Sequence, residues 1–155
     1  MGALRFNHME LTLPPGALDE GGIREEIRGF YTEVFGFDVK DIDIVKQNAL
    51  MLRTDRDLNQ FILLTQMEQH MQSPGYDHLG FAYETRAEVE EVLEKCRKYQ
   101  ERDDRVQLKL YEDIDTGRAV IKAFYVKYLL PIWFDVQSWE FKSAELAPAK
   151  RWTYA

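Results

Sequence analysis

The 155-residue sequence holds one cysteine, Cys96, and no apolar run that approaches the roughly 18–20 residues of a membrane-spanning helix. A single cysteine excludes an intrachain disulfide and a zinc site built on several thiolates, and it fits a reducing compartment. Cys96 lies in a polar helical stretch and reads as a bystander thiol. Basic charge is also scarce, with 20 Lys and Arg against 27 Asp and Glu and a net charge of −7, which leaves no broad cationic surface for nucleic acid. The segment MGALRFNHMEL carries no long apolar signal sequence. These absences set the expectation of a cytoplasmic protein with neither a nucleic-acid nor a membrane partner. What is present, 45% hydrophobic and 30% charged residues, is the composition of one globular domain large enough to build its own core.

Period-two and helical patterns give the organisation. Met9, Leu11 and Leu13 alternate with His8, Glu10 and Thr12, so Leu4 to Leu13 is expected to be a strand that Pro14, Pro15 and Gly16 end. Ile23, Ile27, Phe30, Tyr31 and Val34 recur at helical spacing, predicting a helix from Leu18 to Phe35 with Asp19 as N-cap and Gly36 as stop. Strands follow at Phe37 to Val45, Ala49 to Thr54 and Gln60 to Gln66, with breaks at Gln47-Asn48 and Asp55 to Asn59. After Ser73-Pro74-Gly75 the order starts again: a strand from Asp77 to Glu84, then a helix from the capping box Thr85/Glu88 to about Tyr99. Strands at Val106 to Glu112, Ala119 to Lys127 and Ile132 to Trp139 complete it. The chain is therefore expected to be α+β, two βαβββ modules at about 4–67 and 76–140 in one domain, 1–145, with a tail at 146–155. Each helix covers one sheet face and leaves the other free to surround a cavity.

Two of the three histidines, His8 and His78, open the first strand of their modules. His8 shares a face with Glu10 and Thr12, and His78 with the small residues Gly80 and Ala82, in each case opposite an apolar face. In the last strand Trp133, Asp135, Gln137 and Trp139 share one face. An acid in so apolar a strand needs a partner, a proton or a metal. Two imidazoles and a carboxylate on separate strands suit a divalent metal with open coordination positions, while the alternative is hydrogen-bonded structural histidines.

Motifs in sequence order add to this pattern: Asn7-His8-Met9 in the first strand, and Phe30-Tyr31-Thr32-Glu33-Val34-Phe35-Gly36-Phe37 at the helix end. Asp77-His78-Leu79-Gly80-Phe81 opens the second module, and Phe124-Tyr125-Val126 leads the last hairpin. With these the sequence resembles the vicinal oxygen chelate superfamily, the glyoxalase, bleomycin-resistance and extradiol-dioxygenase group, from Phe6 to about Glu140. The family's phrases are similar: FYxxxLGF at the helix end and FYVxDPDGNxxEL in the hairpin. The DPDGN turn is replaced here by Tyr128 to Ile132, and an ungapped match puts the final glutamate of the pattern on Asp135, one methylene shorter.

The resemblance implies a cup-shaped cavity of mixed sheet, metal ligands at His8, His78 and Asp135, a small-molecule substrate and a homodimer. Gln137 is a fallback neutral ligand. Extradiol dioxygenases of the group hold Fe(II) and commonly place a tyrosine ten residues before the carboxylate ligand, where Tyr125 stands. Glu10 is the candidate proton acceptor, whereas His70 lies in a polar loop. Trp133, Trp139 and Tyr111 are candidate aromatic walls, with Trp133, Gln137 and Arg53 as candidate substrate contacts. Glyoxalase-type members add a glutamate on the fourth strand of the first module, and Gln60 to Gln66 offers none. The resulting expectation is an Fe(II) dioxygenase of small aromatic molecules, cytoplasmic and dimeric. A lyase, isomerase or epimerase using Zn, Mn, Ni or Co, and a metal-free antibiotic-binding protein, stand as alternatives.

Overall fold

The computed structural model describes residues 4, 6–55 and 59–148. The chain divides into two compact units, one of residues up to Pro74 with Leu129–Pro131, the other of Gly75–Tyr128 with residues from Ile132 onward. No helix among the described residues is long and apolar enough to cross a membrane. Most of the tail expected from residue 146, and part of the break at Asp55 to Asn59, lie outside the described residues.

In the first unit the order is β1 (His8–Leu13), α1 (Arg24–Phe35), β2 (Asp38–Ile44), β3 (Gln47–Arg53) and β4 (Phe61–Gln66). The sheet runs β1-β4-β3-β2, with β1 parallel to β4 and the other pairs antiparallel. Helix α1 buries Ile27, Phe30, Tyr31 and Val34, an i, i+3, i+4, i+7 stripe. Gly36 ends the helix in the left-handed conformation at φ 69°, its N–H bonded to the Thr32 carbonyl, as the sequence predicts.

The start of α1 differs from the expectation. The helix begins at Arg24, and its N-cap is Ile23, with no side-chain cap. Asp19 instead accepts hydrogen bonds from Gln66 Nε2 (3.1 Å) and Asn48 Nδ2 (3.2 Å). Gly21-Gly22 is the reason: Gly21 takes φ 80°, and a Cβ on Gly22 would stand 2.4 Å from the Ala17 carbonyl oxygen, so the segment folds as a turn. The β2–β3 turn also moves, from Gln47-Asn48 to Val45-Lys46, both at positive φ (51° and 62°).

The second unit repeats the order: β5 (His78–Tyr83), α2 (Arg86–Gln100), β6 (Gln107–Leu110), a two-residue β7 (Ile114–Asp115), β8 (Ala119–Lys127) and β9 (Trp133–Phe141). The sheet runs β5-β9-β8-β6, again with its first strand parallel to its neighbour, and β7 pairs with β8. The capping box forms as expected, Thr85 accepting from the Glu88 N–H while the Glu88 carboxylate accepts from the Thr85 N–H. Val89, Val92, Leu93 and Cys96 are the buried stripe of α2. Burial pushes the Cys96 thiol up to about 12, so it stays protonated and inert, the bystander its surroundings imply. β7 is missing from the sequence reading; Asp115 accepts from the Gly117 N–H at 2.7 Å, and this tight turn leaves room for only two residues to pair.

Candidate active site

Strand register in the second sheet assembles the site. His78 stands opposite Trp133, Gly80 opposite Asp135, Tyr125 opposite Asp135 from the other side, and Lys109 opposite Tyr125. Residues opposed on neighbouring strands project from the same face, so Gly80, Asp135, Tyr125 and Lys109 form one row across four strands. The period-two reading of β5 and β9 thus places His78 and Asp135 together, with His78 Nε2 3.7 Å from Asp135 Oδ2.

The hydrogen bonds fix the tautomer of the neutral His78 ring. His78 Nδ1 lies 2.9 Å from the Tyr76 carbonyl oxygen, which can only accept, so in the neutral ring Nδ1 carries the proton and the Nε2 lone pair faces Asp135. Asp135 is buried, and its Oδ1 has no hydrogen-bond partner. Its Oδ2 accepts from Gln137 Nε2 at 3.2 Å, and Gln137 Oε1 in turn accepts from Trp139 Nε1 at 2.7 Å. The indole donor therefore sets the amide orientation and aims its nitrogen, not its oxygen, at Asp135. Burial raises the pKa of Asp135, and a positive charge on His78, when that ring is protonated, partly offsets this.

An aromatic cluster surrounds the pair. Tyr125 packs against His78 (ring centroids 4.8 Å apart), Tyr111 (5.0 Å) and Tyr76 (6.4 Å). Trp133 packs on Tyr76 at 5.4 Å and donates its indole N–H to the Gly75 carbonyl at 3.2 Å. Burial, with Asp135 and Tyr111 alongside, raises the Tyr125 hydroxyl above its ordinary range, so it is a proton-bearing donor at neutral pH. Lys109 and Tyr76 are missing from the sequence reading. Lys109 Nζ sits 3.5 Å from the centroid of the Tyr76 ring and 5.3 Å from that of Tyr111. Burial disfavours its charge, but hydrogen bonds to Tyr111 and Tyr76 outweigh this and raise its pKa.

The first sheet carries the remaining sequence-derived residues. His8 is exposed and stacks on Phe61, centroids 4.9 Å apart and planes at 4°. Its Nδ1 lies 2.7 Å from Asn7 Oδ1, and the Asn7 amide nitrogen donates to the Asn59 carbonyl, which fixes the amide orientation. His8 thus repeats the tautomer of His78, with Nε2 free to ligate. Glu10 accepts from the Thr65 hydroxyl at 2.6 Å. Arg53 stands opposite Phe61 and so shares the face of His8. His70 lies in the loop after β4, its Nδ1 3.2 Å from the Glu68 carbonyl. Leu63, opposite Glu10 and Met51, holds the place that Asp135 has in the other sheet. Within each unit, among the described residues, no three His, Cys, Asp or Glu side chains gather to hold a metal; His78 and Asp135 are a pair.

The β-α-β-β-β order of the first unit, and the same order with the short β7 added in the second, is the fold of glyoxalase-type solved structures. The particular solved structures it resembles include the fosfomycin resistance protein FosX of Listeria monocytogenes, 14% identical, with 94% of this chain and 96% of that one covered at a TM-score of 0.60. A glyoxylase/bleomycin resistance protein/dioxygenase domain from Frankia sp. EAN1pec is 14% identical, covering 90% and 100% at 0.57. A possible glyoxalase from Bacillus cereus is 19% identical, covering 88% and 99% at 0.53. At these identities the likeness is one of fold. No protein-family model matches the chain, and no curated protein does.

Proposed function

We propose that this protein is a metal-dependent enzyme acting on a small molecule with adjacent oxygens, and within that class an Fe(II) extradiol-type dioxygenase of a planar aromatic substrate. The observation that carries the proposal is the His78–Asp135 pair. A buried carboxylate with an orphaned oxygen, beside an imidazole whose lone pair faces it, is a donor set that fits a divalent cation and is costly without one. His78 and Asp135 would supply two ligands, and the resemblance read in the sequence offers His8 as a further one. A metal held there supplies Lewis acidity to adjacent substrate oxygens and stabilises the anion that develops on them.

The chain's own residues carry the rest. Gln137 holds the Asp135 carboxylate in place by donating to Oδ2. Tyr125, kept protonated by burial and its acidic neighbours, donates a hydrogen bond to a substrate oxygen. Glu10, fixed by the Thr65 hydroxyl, is the proposed proton acceptor. Tyr76, Tyr111, Tyr125 and Trp133 form the aromatic wall that a planar ring packs on.

Metal analysis of protein purified anaerobically without chelator, beside His8→Ala, His78→Ala and Asp135→Ala, tests this reading. The expected result is near-stoichiometric iron in the wild type, lost in all three variants, and oxygen uptake with catechols. Zn, Mn, Ni or Co bound at the same residues, with no oxygen uptake, replaces the dioxygenase with a glyoxalase-like lyase or isomerase. Absence of binding after reconstitution with each ion overturns the enzyme reading in favour of a metal-free small-molecule binder.

A further inference from the structure

Lys109 is a cation without an anion. Its partners are two tyrosines, and among the described residues no carboxylate lies within ion-pair distance of it. The first sheet shows the ordinary arrangement at the matching place. Lys40 stands opposite Met51 as Lys109 stands opposite Tyr125, and Lys40 pairs with Asp38 at 2.9 Å. Surface lysines on strands usually find such partners or extend into water. Lys109 is instead partly buried and folded over the Tyr76 ring, in the row that contains Asp135.

Its place in that row sets a length. Lys109 is two strands from Asp135, with Tyr125 between them, and neighbouring strands are about 4.8 Å apart, so the interval is about 10 Å. Gly80, at the other side of Asp135, contributes no side chain to the row. A molecule of one substituted ring, with its chelating oxygens toward Asp135 and His78 and its body over Tyr125, brings a substituent on its far side to Lys109. The Tyr76 and Tyr111 rings flank Nζ and hold it in place, and a charge-assisted contact from an ammonium to an anion is about twice as strong as a neutral one.

We propose that Lys109 is a specificity-determining residue that receives an anionic group, carboxylate or phosphonate, on the substrate whose oxygens His78 and Asp135 address. The proposal deepens the functional reading above and rests on it. It selects acidic ring compounds over their neutral counterparts, and it gives Tyr76 and Tyr111 the role of holding the ammonium ready.

Binding of three probes, 3,4-dihydroxybenzoate, 3,4-dihydroxybenzamide and 3,4-dihydroxyphenylphosphonate, followed by quenching of tryptophan fluorescence, tests this without turnover. Wild-type protein is expected to bind one or both acids at least tenfold more tightly than the amide, and the stronger of the two identifies the anion. Lys109→Met should erase the preference while leaving amide affinity and bound metal unchanged, and Lys109→Arg should retain it. Equal affinity for acids and amide, no measurable binding of either acid, or a preference that survives in Lys109→Met overturns the proposal. Bound metal separates the two readings. A protein that takes up no metal yet shows a Lys109-dependent acid preference loses the enzyme and keeps the anion site; one whose metal depends on His78 and Asp135 but shows no preference keeps the enzyme and loses Lys109.

Discussion

His78 reaches Asp135 along a diagonal: the two stand on paired strands two positions out of register, yet His78 Nε2 comes within 3.7 Å of Asp135 Oδ2. The diagonal is open because the residue directly opposite Asp135 is Gly80, which has no side chain to fill the gap. Long side chains reach diagonal neighbours across a sheet when the direct partner is small.

Gly80 is therefore expected to matter for the site more than for the fold. A Cβ there would lie 3.4 Å from Gln137 Nε2, a contact that Gln137 tolerates, so Gly80→Ala should change stability by less than about 1 kcal/mol and retain metal. Gly80→Val places branches against Gln137 and beside Asp135, and should weaken metal binding by roughly 10- to 100-fold, the usual effect of disturbing a ligand's supporting contacts. Titration of both variants with a competing chelator, alongside thermal unfolding, checks the split. Metal affinity in Gly80→Val equal to the wild type would show that the gap has no function.

Asp103 should give the protein part of its acid sensitivity. Its carboxylate accepts from Arg105 (2.6 Å) and from the Tyr128 hydroxyl (2.7 Å), and chiefly through Arg105 its pKa is held well below the usual carboxylate range. A depressed folded-state pKa means that the stabilisation is complete above the unfolded value of about 4 and is lost as the pH falls toward the folded value. Asp103→Asn should thus destabilise the protein by about 1 kcal/mol at pH 7, in line with loss of a charged hydrogen-bond acceptor. The gap to wild type should hold from pH 7 to about 5 and narrow below about 4. Urea unfolding of both proteins across this range measures it; a gap that does not change with pH would falsify the assignment.

The Val45-Lys46 turn offers a gain in stability. Ile44 pairs with Gln47, so these two residues alone make the hairpin turn, and both have positive φ. Left-handed backbone costs a residue with a Cβ roughly 1–2 kcal/mol, and valine's branching adds crowding. Val45→Asn with Lys46→Gly supplies the pair such turns prefer and should stabilise the protein by about 1–2 kcal/mol. A higher midpoint in thermal and urea unfolding, with metal content unchanged, is the expected outcome. An unchanged or lower midpoint would mean that the exposed Val45 side chain contributes more than its strain costs.

That turn also shows where sequence reading stops. Helix ends set by local chemistry were legible: Thr85 with Glu88, and Gly36, act within a few residues of themselves. Asp19 has the same cap chemistry as Thr85, but its partners Gln66 and Asn48 lie on distant strands, and the glycines after it cannot propagate a helix. Val45-Lys46 lacks any Asn-Gly signature, so its position follows from strand pairing alone. At the site, period two was enough to bring Asp135 to the face of His78, because β5 alternates residue by residue from His78 and β9 runs unbroken for nine residues through Asp135. Lys109 lies on a four-residue strand between Leu108 and Leu110, and only the register with β8 reveals that it faces Tyr125.

At corresponding points of the two sheets stand Leu63 and Asp135, Met51 and Tyr125, Glu10 and Gly80. Main-chain hydrogen bonds join four strands in the same order and directions in both, indifferent to which side chains project from them. The architecture is thus written in the backbone while its chemistry is written in one row of side chains, and the second can be rewritten without renegotiating the first. A row of four positions on a self-supporting ladder is a compact unit of evolutionary change: new reactivity needs only a few codons, and the partner sheet keeps folding as before.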